Sequence, residues 1–329
     1  MKSKALTIAV IAVALVGAGL VWIFGWKNSS ATQPGTITLD YAYYNPVSLL
    51  LKEKHFLEDD LAKDGVKVEW VHSLGSNKSL EMLNSKSIDF GSTAGVAAFL
   101  SKANGNPIKT IYVYSKPEWT ALVVRKDSPI NSVADLKGKK VAVTRGTDPH
   151  VFLLRALDQV GLSEKDIEVI PLQHPDGKNA LEKGDVEAWA GLDPLMATTE
   201  VDQGFRLFYR NPDFNTYGVL NVRQEFATKY PSHVARVLAA YEQARKYALA
   251  HPDELRQILA RDAKLNDAVA VRVLERTDLS NPVIGETQKT TILAAAGVLK
   301  KSGVIKADTD AQAVVNDLID PQYSKDLKP

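Results

Sequence analysis

Two hydroxyls stand between two glycines at Gly91-Ser92-Thr93-Ala94-Gly95, after the short run Ile88-Asp89-Phe90 and before the apolar Val96-Ala97-Ala98-Phe99-Leu100. The spacing imitates a Gly-x-Ser-x-Gly nucleophile elbow with Thr93 at the reactive position. It equally suits an anion cradle, in which hydroxyls and free backbone N–H groups at a helix start hold a ligand without reacting with it. A threonine nucleophile needs an activating base, and His72, His150 and His174 all fall on other segments. A triad of Thr93, His174 and Asp193 therefore requires folding to gather it. The cradle has company, because Gly75-Ser76-Asn77 and Arg145-Gly146-Thr147 carry the same residue types ahead of helix-like stretches. Each presents a hydroxyl or amide beside unpaired N–H groups at the positive end of a helix dipole, although Ser, Thr and Asn also serve as ordinary helix caps.

Arg145 is the strongest charged candidate, since a guanidinium beside a helix start pairs with an oxyanion; its alternative is a surface salt bridge. Asp148, at the same helix start, competes with an anionic ligand unless its side chain turns aside. Tyr43 and Tyr44 end the first strand-like run, and Trp119 sits in a presumed crossover; these rings either wall the apolar part of a ligand or pack the core. Trp189, in the strand-end turn Trp189 to Pro194, is placed to flank a ligand, and Asp193 before Pro194 either caps a helix or binds a ligand amine. No His-x-x-x-His or His-Glu-x-x-His spacing, dinucleotide fingerprint or Gly-Lys-Ser/Thr phosphate loop occurs. The absence of cysteine excludes thiol catalysis, thiolate metal sites and disulfides. Neither a cofactor nor a metal is expected.

The elements that must position these residues alternate. Ile37, Leu39, Tyr41 and Tyr43 recur at period two; Asn45 then offers a helix cap and Pro46 suits a first helical position. Strands are expected over 66–71, 88–90 and 108–114, so that Gly75 to Asn77 and Gly91 to Gly95 become strand-end turns. After Ser115-Lys116-Pro117-Glu118-Trp119 a strand-like segment covers 120–125. The pattern restarts with strands over 140–144, 167–172 and 186–190, separated by helices that start at Asp148-Pro149 and near Asp176. A strand over 217–222 returns toward the first half, and the remainder is helical. Repeated strand–helix units predict mainly parallel sheets with helices on both faces, whose strand-end loops form the ligand crevice. Two of the candidate turns lie in the first half and one in the second, so a cleft between halves brings them face to face.

Composition bounds the rest. The 329 residues are 45% hydrophobic and 24% charged, enough for two lobes of ordinary size. A formal net charge of +1 argues against a nucleic-acid partner. Lys2 and Lys4 precede an uncharged apolar run over 5–26, with Ser29-Ser30-Ala31 beyond it. This is an export signal, or, at spanning length, a retained N-terminal membrane anchor.

Segments 65–111, 125–162 and 180–197, in that order, resemble the solute-binding proteins of nitrate, sulfonate and taurine importers, most of all the aliphatic-sulfonate binders. The likeness covers roughly half of the chain. It implies a two-lobed periplasmic binding protein of type II, with 36–118 and 210–329 in one lobe and 119–209 in the other. The chain would act as a monomer in the periplasm, with no catalytic role, closing over a small organic anion and docking on an ABC permease with its cytoplasmic ATPase. Family contacts would fall on Gly75, Ser76 and Asn77, on Ser92 and Thr93, on Trp119 and Thr120, on Arg145, Gly146 and Thr147, and on Trp189 and Asp193. The sequence departs from the usual pattern at Tyr43, Tyr44 and Asn45, where a glutamine or small polar residue is expected, and at Gly191-Leu192, where bulkier residues are. These departures leave room for a bulkier or aromatic acid. The competing readings are an enzyme on the same architecture, hydrolytic or pyrimidine-forming, and a membrane-tethered sensory module.

Overall fold

The computed structural model describes residues 33–328. The apolar run over 5–26 and the export or anchor reading of residues 1–31 lie outside the described residues.

The chain opens with strand β1 (Thr36–Tyr41), helix α1 (Pro46–Glu53), helix α2 (Phe56–Leu61) and strand β2 (Lys67–His72). Asn45 caps α1 as its sequence predicts, its side chain accepting from Ser48 N at 3.3 Å, and Pro46 opens the helix. Helix α3 (Ser76–Asn84), strand β3 (Phe90–Ala94), helix α4 (Gly95–Ala103) and strand β4 (Ile108–Pro117) follow. The chain then crosses to β5 (Leu122–Val124), β6 (Lys140–Val143), α5 (Asp148–Gln159), β7 (Glu168–Pro171), α6 (His174–Lys183), β8 (Ala188–Ala190), α7 (Leu195–Gln203) and β9 (Arg206–Tyr209). It returns through β10 (Gly218–Arg223) to a helical region, α8 (Gln224–Lys229), α9 (Pro231–Ala250), α10 (Pro252–Asp262) and α11 (Asp267–Glu275). A two-residue strand β11 (Thr277–Asp278) and helices α12 (Glu286–Leu293), α13 (Ala296–Lys301) and α14 (Ala311–Leu318) complete it.

One sheet has the order β11-β4-β10-β3-β1-β2 and the other β7-β6-β8-β5-β9. Each has a parallel centre, β2-β1-β3 in one and β7-β6-β8 in the other, which the crossover strands β10, β4, β5 and β9 extend antiparallel. The sheets are therefore mixed, and less parallel than strand–helix alternation alone implies. In the second sheet the two faces bury opposite residues of each strand. Leu122, Val124, Val141, Val143, Ala188 and Ala190 pack one core, while Ala121, Val123, Ala142 and Trp189 pack the other. The period of two, covered by helices on both sides, explains why every residue of β5 and β8 is buried.

Two corrections follow. Residues Ser92 and Thr93 do not form a turn, because β10 arrives from far along the chain and pairs Val219 with Thr93 and Gly218 with Ala94, extending β3 to Ala94, with Gly95 opening α4. Trp189 belongs to a core, fully buried in the centre of its sheet, with Gly177 of α6 leaving room for its indole: a Cβ there would lie 2.8 Å from Trp189 Nε1.

The crossovers are held by one carboxylate. Asp148 Oδ2 accepts from Trp119 Nε1 at 2.7 Å and from Thr216 N at 2.9 Å, and Oδ1 accepts from Thr216 Oγ1 at 2.8 Å. Beside it, Thr120 N donates to Asn215 Oδ1 at 2.8 Å. Asp148 is thus turned aside from any ligand and ties both connecting segments to the start of α5. Burial pushes its carboxyl up to about 6, against the lowering pull of those hydrogen bonds. Between the ordinary carboxyl value and about 6 the folded state holds a proton that the unfolded chain has lost, so stability from this group falls as pH rises through that window. Replacing Asp148 by Asn removes the titration. Thermal or urea unfolding of Asp148→Asn and the parent, from mildly acidic to neutral pH, should show the variant gaining relative stability as pH rises. The gain should be on the order of 3 kcal/mol across the window.

Candidate functional site

Two helix N-termini meet across the cleft between the sheets. Helix α3 begins after Gly75, which has no side chain to cap it, and α6 begins after Gln173, whose side chain makes no cap hydrogen bond. Uncapped first turns leave N–H groups without intrahelical partners and carry about half a positive charge each. The two ends are in contact: a Cβ on Gly75 would lie 3.0 Å from His174 Cδ2 and 3.1 Å from Nε2. Asn77 Nδ2 of α3 donates to Gln173 Oε1 at 3.3 Å, bridging one helix end to the other.

Beside this contact lies a cavity of about 150 Å³, lined by Tyr43, Tyr44, His72 and Leu74 from one side and by His174, Leu192, Asp193 and Leu195 from the other. Ala263 and Leu265, after α10, close it. On its wall, both ring nitrogens of His174 and Asp193 Oδ2 are buried without a hydrogen-bond partner, as are Arg276 Nη1 behind Asp193 and Asn77 Oδ1 at the start of α3. An unmet buried polar group costs about 1–3 kcal/mol, so a cluster of them marks a place for a polar guest. Burial pulls the His174 imidazole down to about 3, which makes it neutral.

The floor of the cleft is a fixed network. Asp40 Oδ1 accepts from Ser92 N at 2.7 Å and Oδ2 from Ser73 Oγ at 2.8 Å. Tyr44 donates to the Ser92 carbonyl at 2.9 Å and meets Ser73 Oγ at 3.0 Å, while Asn45 Nδ2 donates to Ser92 Oγ at 2.8 Å. Burial raises Asp40 to about 6 and Tyr44 well above the ordinary phenol range. Ser76 Oγ accepts from Ala94 N at 3.0 Å, fixing the start of α3 on β3. Tyr43 stacks on His72 with ring centroids 4.5 Å apart, and Trp119 sets its edge against Tyr44 at 6.0 Å.

Among the residues expected in the site, the structure brings Tyr43, Tyr44 and Asp193 to the cavity wall and Gly75, Ser76 and Asn77 to the helix end beside it. Asn45 and Ser92 lie in the network beneath. Thr93 is fully buried, its Oγ1 donating to the Ala94 carbonyl at 3.0 Å and accepting from Asn221 Nδ2 at 2.8 Å. That arrangement contains no general base, and His174 lies on the cavity wall, so the elbow reading fails. Thr120 is buried in the crossover with Oγ1 unpartnered. Thr147 turns its hydroxyl onto the Thr144 carbonyl at 2.6 Å. Gly146, at φ +75°, lines a groove with Asn77, Leu80 and Ala97, its backbone conformation one that favours glycine. Arg145 is half exposed and reaches Glu164 at 3.2 Å, with His150 at 3.4 Å. It is a salt bridge at the surface, the second of its two sequence readings.

Asp193 takes the capping role, accepting from Ala197 N at 2.9 Å, and faces Arg276 Nη1 across the cleft at 3.6 Å. Burial raises its carboxyl to about 7, partly opposed by that guanidinium. Arg276 also pairs with Glu200, which accepts from Arg272 at 2.8 Å, so one cluster of charges joins α11 to α7. His174 is the residue that sequence reading left out of the binding set; its signal was Gln173-His174-Pro175 at the end of β7, a fourth strand-end loop opening a helix.

The profile of the family described as NMT1/THI5 like matches residues 60–255. The chain belongs to that family. An aliphatic sulfonates-binding protein of Escherichia coli is 30% identical over 78% of this chain and 81% of its own length. The crystal structure of the periplasmic aliphatic sulfonate-binding protein from Escherichia coli superposes with a TM-score of 0.73 at 27% identity, covering 85% of this chain and 91% of that one. The alkanesulfonate-binding protein from Xanthomonas axonopodis pv. citri, bound to MOPS, reaches a TM-score of 0.78 at 24% identity over 87% and 98% of the two chains, and shows the same two-lobed periplasmic-binding fold.

The contact at Gly75 has a direct test. A side chain there pushes His174 away and keeps the two helix ends apart. Gly75→Val should weaken binding of benzenesulfonate roughly thirtyfold, the equivalent of about 2 kcal/mol of overpacking, when measured by calorimetry. The unfolding temperature should stay close to that of the parent, because Gly75 has an extended backbone that valine adopts.

Proposed function

We propose that this chain is the solute-binding component of an ABC importer, and that it holds a small organic anion, a sulfonate, between the N-termini of α3 and α6. One lobe comprises 36–118 and 210–329 and the other 119–209, the divisions falling in the segments that Asp148 ties together. The observation that carries the reading is the meeting of two uncapped helix N-termini at a cluster of unmet buried polar atoms. Two like partial charges in contact repel, and an anion placed between them reverses the sign of that interaction. A ligand that touches both ends stabilises the closed lobes and no other arrangement, which is what capture and release require.

The organic part fits the adjoining cavity. Its wall is mainly apolar, and a dry cavity of about 150 Å³ accommodates a benzene ring. Tyr43, Leu192 and Leu195 would contact that group, consistent with the departures from the usual sulfonate-binder pattern at Tyr43 to Asn45 and at Leu192. A relative named as a binder of aliphatic sulfonates, with matching length, supports the sulfonate assignment and the periplasmic setting. The partners are then a membrane permease and its ATPase, and the chain works as a monomer that returns its ligand unaltered. Among the described residues, no helix is long and apolar enough to cross a membrane.

Calorimetry with benzenesulfonate, taurine and the neutral benzyl alcohol tests the reading. Benzenesulfonate should bind at least about tenfold more tightly than either of the others, since taurine would place an ammonium in an apolar cavity and benzyl alcohol carries no charge. Arg145→Ala should leave the affinity for benzenesulfonate within about threefold, the effect of a screened surface charge. Equal affinity for the neutral compound, or conversion of benzenesulfonate to a product, would overturn the assignment.

A further inference from the structure

The cleft offers an anion two helix ends, and the guanidinium behind it, Arg276, is ion-paired with Glu200 and, at 3.6 Å, with Asp193. From the ends of β1 and β2 the cavity receives Tyr43, Tyr44 and His72; from the loop after β8 it receives Asp193, with Arg276 behind it. The turn after α10 contributes Ala263 and Leu265, with Asp262 acting on Tyr43. On α6 itself, Asp176 is exposed in the first turn. Tyr44 has its hydroxyl engaged with Ser73 and Ser92, and Arg276, within its ion pairs, has an Nη1 that makes no hydrogen bond. His174 stands apart: its ring is 1% exposed, neither nitrogen has a partner, and it touches the start of α3 through Gly75.

Resting on the reading of a bound organic anion, we propose that His174 is the second lobe's anion-contacting side chain and that binding transfers one proton from solvent to its imidazole. A neutral imidazole donates one hydrogen bond and accepts another, whereas the protonated ring donates two and suits an acceptor-only sulfonate. The anion and the imidazolium then neutralise each other in the buried cavity, which removes the cost of burying either alone. The low proton affinity that burial imposes on the free ring means that nearly the whole proton is taken up at binding. The lobes therefore close on a neutral pair, and a rise in pH loosens the complex.

Benzenesulfonate is the probe, titrated calorimetrically into the full chain in cacodylate and in imidazole buffer, neither of which is a sulfonate. At about pH 5.5 the difference in heat between the buffers should correspond to uptake of close to one proton per ligand, and affinity should fall by up to about tenfold per pH unit above that. His174→Gln should abolish the uptake and flatten the pH profile, while Arg145→Ala, at a surface salt bridge away from the cavity, should retain both. Should His174→Gln fail to fold, nitrogen NMR of the histidine-labelled parent reads the same event, the His174 ring passing from neutral to protonated as benzenesulfonate is added. Tight binding without proton uptake, or uptake that survives in His174→Gln, would overturn this proposal and leave the binding function standing. No binding of benzenesulfonate or any other organic anion would overturn the function itself.

Discussion

Two positive helix ends pressed together without a side-chain cap on either are the constraint around which this molecule is arranged. Each bears about half a charge, and in the low dielectric of a closed cleft their repulsion is less screened than in water. Something must hold them there. Within the chain, Asn77 bridges to Gln173, and the cluster of Arg276, Arg272, Glu200 and Asp193 pulls the two halves together from the opposite rim. In the proposed complex an anion would supply what those contacts lack, a negative charge beside both helix ends at once.

The rest of the fold keeps those ends aimed. Asp40 and its partners Ser73, Ser92 and Tyr44 lock the strand ends beneath α3, and Ser76 pins the helix start to β3. Asp148 does the corresponding work at the crossovers, tying Trp119 and Thr216 to the start of α5. These carboxylates are buried at a penalty that their hydrogen bonds only partly offset, which is why their proton affinities are raised. Stability is given up there in return for fixed geometry, a trade common at functional sites. A fold of this kind does not by itself dictate a function, so the assignment rests on the chemistry of the cleft and on family membership together.

Local signals in the sequence were sufficient wherever the determining contacts are local. Asn45-Pro46 announces α1 because a cap and a fixed φ act within one turn, and alternation marks β1 because Ile37 and Leu39 are buried between half-buried threonines. What depends on distant partners was not legible. Ser92 and Thr93 read as a turn because nothing nearby reveals that β10 will pair with them. Trp189 read as a ligand flank because its burial comes from helices packed on both faces of its sheet, and Arg145 as an anion clamp because Glu164 meets it only in the folded chain. Strand β11 is two residues long and exists through its pairing with β4. The sequence presents His174 only as a base for Thr93 and not as a ligand contact for the same reason: a histidine before a proline resembles any loop residue until its ring is seen bare of partners against Gly75.

The central claim is a position for the ligand's charge, and a crystal structure of the chain with benzenesulfonate, its sulfur located by anomalous scattering, tests it most directly. The account places the sulfur between the first turns of α3 and α6, with oxygens in hydrogen-bond reach of the α3 amides and the His174 ring, and the phenyl group beside Tyr43 and Leu192. A sulfur located at Arg145, or in the groove by Gly146, with the helix ends unchanged, would contradict it.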